Sequence, residues 1–334
     1  MNEPPTTHIL LPHEALFGFA CTCLKAVGVP SAHAELVSRL LVESDLRGVR
    51  SHGTRQVNRY CLELQQGGLN PDPQVTHLSD HGAVVALDGD GGLGYLPMVR
   101  ATEIAIERAG QFGLGLTTVR NIGHYGAAGN YCRRCTEAGC IGFSVQGVEG
   151  LGNAGGQIPK PQLAFFGNPP ICFAFPGREG PGVVLDAATR ILGDDQLGPE
   201  FAALVPQIPG AFFRSVGLTA VAELLGAGLA GAMLRPATAR HRWPAAVWGG
   251  MVMAIQIEAA VDEDAFRAEV DRLGRDVGAT YEPFPGQQRA LLPGALEAER
   301  RVSYSRDGVP FGPAEQEEIR QVSERLGVPV PWQG

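Results

Sequence analysis

Apolar side chains recur at helical spacing along the first part of the chain. One stripe comprises Leu36, Val37, Leu40 and Leu41, and a second comprises Val57, Tyr60, Cys61 and Leu64. Ser31 follows Pro30 ahead of the first stripe and is a typical N-cap residue. Gly67 and Gly68 follow the second stripe, and a pair of prolines comes after them. The pattern predicts helices over residues 10–66 and a connector over residues 67–74.

Short apolar runs replace the helical pattern in the middle of the chain. They predict strands at Ala83–Leu87, Leu116–Val119, Ile141–Gln146, Ile171–Pro176 and Gly182–Asp186. Val247–Ile257 is predicted as a strand or a sheet-edge segment, and a last strand-like segment follows Arg289–Pro293. Helical spacing returns at 97–111, Val216–Leu234, Asp262–Val277 and Pro313–Leu326. Helical ends around a strand-rich middle predict an α+β fold rather than alternating doubly wound units. We expect a helical domain of residues 1–74 with 312–334, and a sheet-containing domain of residues 75–311.

A dense group of polar residues lies between the two N-terminal helical stripes. Gly48 is expected to end the first helix, and Ser51 can cap the second, which places His52 on its first turn. Free N–H groups there favour an anion, and Arg55 follows one turn later. An imidazole beside a bound carboxylate is suited to proton transfer next to an acid substrate. A capped, solvated turn would show the same pattern, so both interpretations remain open.

Two further glycine-rich segments are candidates for ligand binding. Residues 88–94 contain the spacing G-x-G-x-x-G, beginning at Gly89. No acidic residue ends a second strand about twenty residues on, which favours a tight turn over a dinucleotide phosphate loop. His124 opens a turn rich in small residues that would let a ligand approach the backbone, although a structural histidine fits the same pattern.

Composition narrows the class of protein. The 334-residue chain has 44% hydrophobic residues and a net charge of −8, which argues against a nucleic-acid or anionic-membrane partner. Cys132 and Cys135 have C-x-x-C spacing in a predicted helix without a second pair, so we expect no metal site and a reducing compartment. The apolar stretch Val216–Leu234 carries Glu223 and four glycines, which favours a buried helix over a membrane span. Because no basic segment precedes an apolar run at the N-terminus, we expect a cytoplasmic protein.

Several motifs, taken in order, resemble one family, the type-2 malate/L-lactate dehydrogenases with their sulfolactate, ureidoglycolate and ketimine reductase relatives. The matching segments are Asp45-Leu46-Arg47-Gly48, Ser51-His52-Gly53-Thr54-Arg55 with Tyr60, residues 88–94, His124–Tyr131, Gly167-Asn168-Pro169, Leu185–Thr189 and Leu292–Glu297. The resemblance implies a non-Rossmann sheet domain that binds NADH or NADPH, flanked by N- and C-terminal helices. It also implies a homodimer that transfers hydride between nicotinamide and C2 of a small 2-oxo, 2-hydroxy or 2-imino acid.

The resemblance also assigns roles to individual residues. His52 would be the acid/base, Arg55 would clamp the substrate carboxylate, and Ser51 and Tyr60 would orient these two groups. The residues implied to line the cofactor are His124, Gly126, Ala127, Asn168, Asp186 and Thr189. Arg190 and Arg214 are added because an arginine can meet a phosphate.

The chain departs from the family pattern mainly on the cofactor side. Arg190 stands where relatives have serine, and Gly123 replaces the asparagine before the second motif's histidine. A shortened segment follows, in which Ala211 and Phe212 replace glycines and Arg214 replaces lysine. A bulky Phe212 could fill part of a dinucleotide site. Two alternatives to a working reductase therefore stay open: a relative that uses His52 for lyase, isomerase or hydrolytic chemistry, and a binding protein without catalysis.

Overall fold

The computed structural model describes residues 4–149, 168–191, 203–234, 242–285 and 287–332. Its helices are α1 (His13–Ala26), α2 (Ser31–Leu46), α3 (Val57–Gln65), α4 (Tyr95–Phe112), α5 (Gly129–Glu137), α6 (Pro209–Glu223), α7 (Glu263–Thr280), α8 (Ala295–Asp307) and α9 (Pro313–Leu326). Its strands are β1 (Ile9–Leu11), β2 (Thr76–His81), β3 (Val84–Asp88), β4 (Leu114–Ile122), β5 (Cys140–Val148), β6 (Pro170–Phe175), β7 (Val183–Ala188), β8 (Trp248–Gln256) and β9 (Val309–Phe311). The predicted α+β class is confirmed.

Seven strands form one mixed sheet in the order β2-β3-β4-β8-β5-β6-β7. Among the described strands, β3 and β4 are the one parallel pair, and helix α4 provides the crossover between them. All other neighbours in the sheet are antiparallel. A second, two-stranded sheet pairs β1 with β9, so that Ile9 lies opposite Phe311. Strands from the beginning and the end of the described chain therefore lie side by side.

The N-terminal helices form largely as predicted, with one correction at a helix start. Helix α2 ends at Leu46, and Gly48 follows with φ +74°, a conformation that glycine adopts without strain. Ser31 is the first helical residue rather than the N-cap, and its side chain makes no capping bond. The cap position belongs to Pro30, whose fixed φ suits entry into a helix.

The elements that the sequence pattern missed lack an apolar period. Helix α8 has a single buried residue, Arg300, so the segment after Pro293 gave no stripe and was wrongly predicted as strand-like. Strand β2 is a mostly exposed edge strand, and β1 and β9 are three residues each. Strands β1 and β9 are defined by pairing with each other across the chain, and β2 pairs with the adjacent β3 but has no buried face, so local periodicity reports none of the three.

Helix α6 starts earlier than predicted. It begins at Pro209 instead of Val216, and a π-helical turn over Leu224–Gly228 follows it. Its outer side is not buried as predicted, because Phe213 is 79% exposed and Leu224 is 63% exposed. Among the described residues, Pro209–Gly228 is the one helical stretch long and apolar enough to cross a membrane, a criterion that core helices of soluble proteins also meet.

The glycine cluster after β3 is a tight turn packed against protein. A Cβ on Gly91 would lie 2.0 Å from the Trp243 ring, and one on Gly94 would lie 2.6 Å from Tyr125. Side chains therefore fill the space that a phosphate would need, in agreement with the interpretation favoured from the sequence. One continuous core joins the N-terminal helices, α4, α5 and the sheet, and α9 packs against α1 and α3. The division into two domains stays a prediction.

Candidate active site

His52 lies in an irregular link between α2 and α3. Two 3₁₀ turns, Arg50–His52 and Thr54–Gln56, precede the first α-helical residue, Val57. The predicted placement of His52 on the first turn of an α-helix is therefore wrong, as is the capping role of Ser51. The Ser51 hydroxyl instead lies 2.8 Å from Nδ1 of His52. This contact constrains the ring orientation, and the role that the resemblance implies for Ser51 stays a prediction.

Asp45 at the end of α2 anchors this link from inside the protein. Its Oδ2 accepts hydrogen bonds from the backbone N–H of Thr54 at 2.8 Å and from the Thr54 hydroxyl at 2.6 Å. Asp45 and Thr54 are both buried, and burial raises the pKa of Asp45 to about 7. The carboxyl group lies so close to Gly53 that a Cβ there would be 1.6 Å from Oδ1. Residue 53 must therefore be glycine for steric reasons.

His124 reaches the same place from the sheet. It follows β4, and the centre of its ring lies 5.4 Å from that of His52. The Tyr60 hydroxyl is 2.7 Å from Nδ1 of His124, and the backbone N–H of Gly126 points at the same nitrogen at 3.4 Å. Since a backbone N–H can only donate, Nδ1 is the acceptor and the proton of the neutral ring is on Nε2.

Two buried tyrosines extend the polar chain away from His124. The hydroxyls of Tyr60 and Tyr95 are 3.2 Å apart, and both side chains are fully buried. Burial raises the pKa of Tyr60 and of Tyr95 well above the ordinary value, so both phenols stay protonated. Gly126, with φ +77°, packs directly over the Tyr95 hydroxyl. Tyr60 thus holds His124 by a hydrogen bond, and His124 in turn lies next to His52.

Asp186 in β7 supplies the negative charge beside the histidines. Its Oδ2 accepts a hydrogen bond of 2.7 Å from the backbone N–H of Gly129 at the start of α5. Part of the residue is open to solvent, yet protein atoms surround the carboxylate closely and this desolvation raises its pKa. Desolvation also lowers the pKa of His52 and of His124, and the carboxylate of Asp186 opposes that effect on His52. A neutral His52 able to gain a proton beside a carboxylate is suited to general base catalysis.

Arg55 is held by the C-terminal helix. Its guanidinium lies 3.7 Å from Oε1 of Glu315 in α9, and the Arg50 guanidinium reaches the same oxygen at 3.1 Å. Glu315 is buried, whereas about a third of the Arg55 side chain is exposed. Because a guanidinium has five N–H donors, Arg55 keeps donors free for a ligand. Its role as a carboxylate clamp stays a prediction.

The remaining cofactor candidates form a separate group where α6 meets β6 and β7. Asn168 accepts a hydrogen bond from the backbone N–H of Arg190, and the Thr189 hydroxyl donates to the carbonyl of Pro169. Ser215 and Thr219 in α6 donate to the backbone and the hydroxyl of Thr189. The Arg214 side chain is exposed on α6, whereas Phe212 of the same helix is buried, and Ala127 is buried next to Gly126 in the chain. Gly167 lies outside the described residues.

Sequence reasoning missed three residues that shape the site: Asp45 as an anchor, Tyr95 and Glu315. Asp45 was visible in a motif, but nothing in its spacing pointed to Thr54. Tyr95 and Glu315 lie 35 and 263 residues away from Tyr60 and His52 in the chain, and only the fold brings them near. The buried thiols of Cys132 and Cys135 are free and take no part in the site.

The fold and the site define a class of protein in which two paired imidazoles and a carboxylate lie between terminal helices and a mixed sheet that is not a Rossmann fold. The family model described as malate/L-lactate dehydrogenase matches residues 11–196 and 199–320. The chain belongs to this family.

The named relatives match different shares of this chain. This chain is 26% identical to the L-sulfolactate dehydrogenase of Methanocaldococcus jannaschii over 92% of its own length and 94% of that relative's length. It is 29% identical to the L-lactate dehydrogenase of Cupriavidus necator over 92% and 95%. The match to the malate dehydrogenase of Pyrococcus horikoshii is 35% identical over 55% of this chain, and it spans about half of that relative's length. Sulfolactate, lactate and malate, the acids in the names of these three relatives, are all 2-hydroxy acids.

Solved structures show the same fold. The malate dehydrogenase structure from Pyrococcus horikoshii superposes with a TM-score of 0.84 and 25% identity over 98% of both chains. The sulfolactate dehydrogenase structure from Methanocaldococcus jannaschii gives a TM-score of 0.77 at 24% identity, over 96% of this chain and 98% of that one. At that identity the likeness concerns the fold.

Proposed function

We propose that the protein is an NAD(P)-dependent oxidoreductase that interconverts a small 2-hydroxy acid and its 2-oxo acid, or reduces the corresponding 2-imino acid. The observation that carries the proposal is the pairing of His52 with His124 beside Asp186, at the position where the family motifs converge. Malate, lactate and sulfolactate dehydrogenases among its relatives support a 2-hydroxy acid as the substrate class.

The residues around His52 and His124 are suited to hold the nicotinamide half of a dinucleotide. The imidazoles of His52 and His124 are only partly covered, and the small residues Gly126 and Ala127 follow His124 in the chain. His124, the backbone of this turn and Asp186 would hold the nicotinamide half, and Arg190 and Arg214 are the cations proposed for the phosphates. When bound, NADH or NADPH supplies or accepts the hydride at C2 of the acid.

Each side chain of the site then has a task that its geometry allows. In the oxidation direction neutral His52 takes the proton from the substrate hydroxyl, and Ser51 keeps its ring in place through Nδ1. Asp186 stabilises the imidazolium that results. Arg55 holds the substrate carboxylate, and Tyr60 keeps His124 neutral and fixed. Because desolvation lowers the pKa of His52, the acidic limb of the oxidation rate should lie below pH 6.5.

The test combines nucleotide binding with one substitution. NADH and NADPH are titrated into the protein while nicotinamide fluorescence is followed, and turnover of 2-hydroxy acids is then measured. His52→Ala should lower turnover by about 10²- to 10⁴-fold, the usual contribution of a general acid or base, and leave nucleotide affinity nearly unchanged. His77→Ala, on the exposed edge strand β2, is the matched control and should keep normal turnover. Absence of nucleotide binding, or unchanged turnover in His52→Ala, would contradict the proposal.

A second candidate function rests on the group around Thr189. The Thr189 hydroxyl both donates to Pro169 and accepts from Thr219, so contacts within the protein occupy it. A relative with an altered nucleotide site could use His52 in lyase or isomerase chemistry without hydride transfer. Turnover of an acid in the absence of nucleotide, lost in His52→Ala, is the result that would favour this candidate.

We further propose a homodimer in the cytoplasm, as the resemblance implies. Light scattering of the purified protein would give the mass of the assembly directly. A monomer at micromolar concentration would refute the dimer.

A further inference from the structure

Arg300 is a buried arginine without a partner among the described residues. It is the single buried residue of α8 and only 8% exposed. In the part of the chain that the structure describes, no carboxylate lies within ion-pair distance of its guanidinium and no acceptor takes a hydrogen bond from it. Its nitrogens are not completely closed off from solvent. The guanidinium is therefore a largely buried charge whose hydrogen-bond donors are unused by the described residues.

The neighbouring charges leave Arg300 without compensation. Arg301, the next residue, makes a bidentate pair with Glu43 of α2 at 2.9 and 3.0 Å. Arg47 also lies 3.6 Å from Glu43. Arg47 and Arg301 thus share Glu43, and no carboxylate of the described residues forms an ion pair with Arg300. A buried charge without a counter-charge is unfavourable, so the protein retains it against a cost in stability.

The position of Arg300 connects it with the His52 site. Its Cδ and Nη1 lie 2.9 and 3.1 Å from the point where a Cβ of Gly48 would stand, four residues before His52. Glu297, one turn earlier on α8, is close enough to Asp186 to raise the pKa of that carboxyl. The start of α8 is tied to β7 by the hydrogen bond from Val184 N–H to the carbonyl of Pro293. The helix that carries Arg300 therefore borders the strand that carries Asp186.

We propose that Arg300 binds an oxyanion of the ligand that occupies the His52 site, which supplies the counter-charge that the described residues do not. The oxyanion is either a second acidic group at the far end of the substrate or a phosphate of the nucleotide. The inference rests on the proposed function for the identity of the ligand. It makes Arg300 a determinant of specificity: Arg55 is left to hold the carboxylate next to C2, and Arg300 recognises a different anionic group.

The experiment compares Arg300→Met with Arg301→Met, a matched control that removes the same charge from the next position of the same helix. Binding of L-malate, L-lactate and sulfate is measured by calorimetry, and that of NADPH and NADH by fluorescence, all at one ionic strength. Arg300→Met should weaken binding of the recognised anion on the order of 10- to 100-fold, as expected for a hydrogen-bonded charge. Arg301→Met should change it less than twofold.

The pattern of losses identifies the source of the anion. Weaker binding of L-malate with unchanged L-lactate indicates the distal group of a diacid substrate. Weaker binding of NADPH alone indicates its extra phosphate, and equal weakening of both nucleotides indicates the pyrophosphate. No change in any of these beyond the Arg301→Met control would overturn the proposal, as would a wild-type protein that binds none of the probes.

Stability gives an independent readout. Because Arg300→Met removes an uncompensated buried charge, its thermal midpoint in ligand-free buffer should equal or exceed that of the wild type. Arg300→Lys keeps the charge and should retain part of the anion affinity, which allows the test if the methionine variant fails to fold. A methionine variant that folds but is clearly less stable, with anion binding unchanged, would show a purely structural arginine. Since binding is measured without turnover, failure of the proposed redox reaction leaves this result interpretable.

Discussion

Glycine 53 shows how one missing side chain determines the position of the candidate acid/base. Its backbone angles, φ −89° and ψ −161°, are open to any residue, so the constraint is contact rather than conformation. The carboxyl group of Asp45 occupies the space of its Cβ while holding Thr54. Gly53 and Thr54 of the His-Gly-Thr motif therefore form the place in which the buried carboxyl group of Asp45 packs. That relation was not readable from the sequence, because it depends on the turn of the chain between α2 and α3.

Gly53→Ala should destabilise the protein by about 1–3 kcal/mol, the usual cost of overpacking, or by more if Asp45 cannot move. It should also lower turnover, since His52 is the neighbouring residue. Urea unfolding and steady-state rates provide the measurements. Gly18→Ala in α1 is the control, because a Cβ there meets nothing within 4 Å, and it should leave both quantities intact or raise stability slightly. Normal stability of Gly53→Ala would mean that Asp45 does not occupy this space.

At the level of elements, the sequence predicted those with a clear apolar period and failed on the rest. Helix α9 was predicted at its observed bounds, Pro313–Leu326, because proline marks its start and three apolar residues share one face. The start of α6 was missed by seven residues, since Pro209 and the following small residues give no stripe. The 3₁₀ turns around His52 were mistaken for a helix start, because capping residues look the same in both.

Helix α6 is fixed to the sheet by a buried acid near its end. Glu223 is 2% exposed and accepts a hydrogen bond of 2.8 Å from the backbone N–H of Val148, at the end of β5. Val148 pairs with Trp248, whose ring meets His124 edge-on at 6.1 Å between centroids. Burial raises the pKa of Glu223 from 4.5 to about 7. The folded protein thus keeps a proton on Glu223 at pH 5–6 that the unfolded chain has lost.

Stability linked to Glu223 should therefore fall as the pH rises from about 4.5 to 7, because the unfolded state binds fewer protons across this window. Relative to Glu223→Gln, the wild type should lose between about 1 and 3 kcal/mol, at about 1.4 kcal/mol per unit of pKa shift. Urea unfolding of both proteins at pH 4.5, 6 and 7.5 measures the difference. Taking the difference cancels the contributions of His52 and His124, whose lowered pKa values act in the opposite direction. A difference that does not vary with pH would contradict the assignment.

On the scale of the whole molecule, the C-terminal helix takes part in the candidate site. Glu315 is the contact: it is buried, it accepts from the N–H of Gly312, and it faces Arg50 and Arg55. The sequence indicated helices at both ends and, through its resemblance, the overall fold. It could not show that α9 lies on the His52 link, because a contact over 260 residues leaves no local pattern.

Glu315→Gln should keep the hydrogen bond to Gly312 and lose the charge that faces the two arginines. We expect a loss of about 1–2 kcal/mol in the free energy of unfolding, less than for a fully buried pair because both arginines are partly exposed. The KM for the acid substrate should change more than kcat, since Arg55 is repositioned. Glu318→Gln, one turn on and paired with Asn58, is the control and should affect stability alone. If Glu315→Gln and Glu318→Gln had the same KM and kcat, Arg55 would not take part in substrate binding.

The pairing of β1 with β9 has a consequence for the order in which the protein is made. Residues Ile9–Leu11 leave the ribosome long before Val309–Phe311, their partners in the two-stranded sheet, and Glu315 follows later still. The pairing of β1 and the contact of Arg55 with Glu315 can therefore form only after residues 309–315 have been made. A chain interrupted shortly before residue 309 would contain every residue proposed for proton transfer and still lack the support that positions Arg55. The synthesis of residues 309–315 then acts as the step at which the site becomes complete.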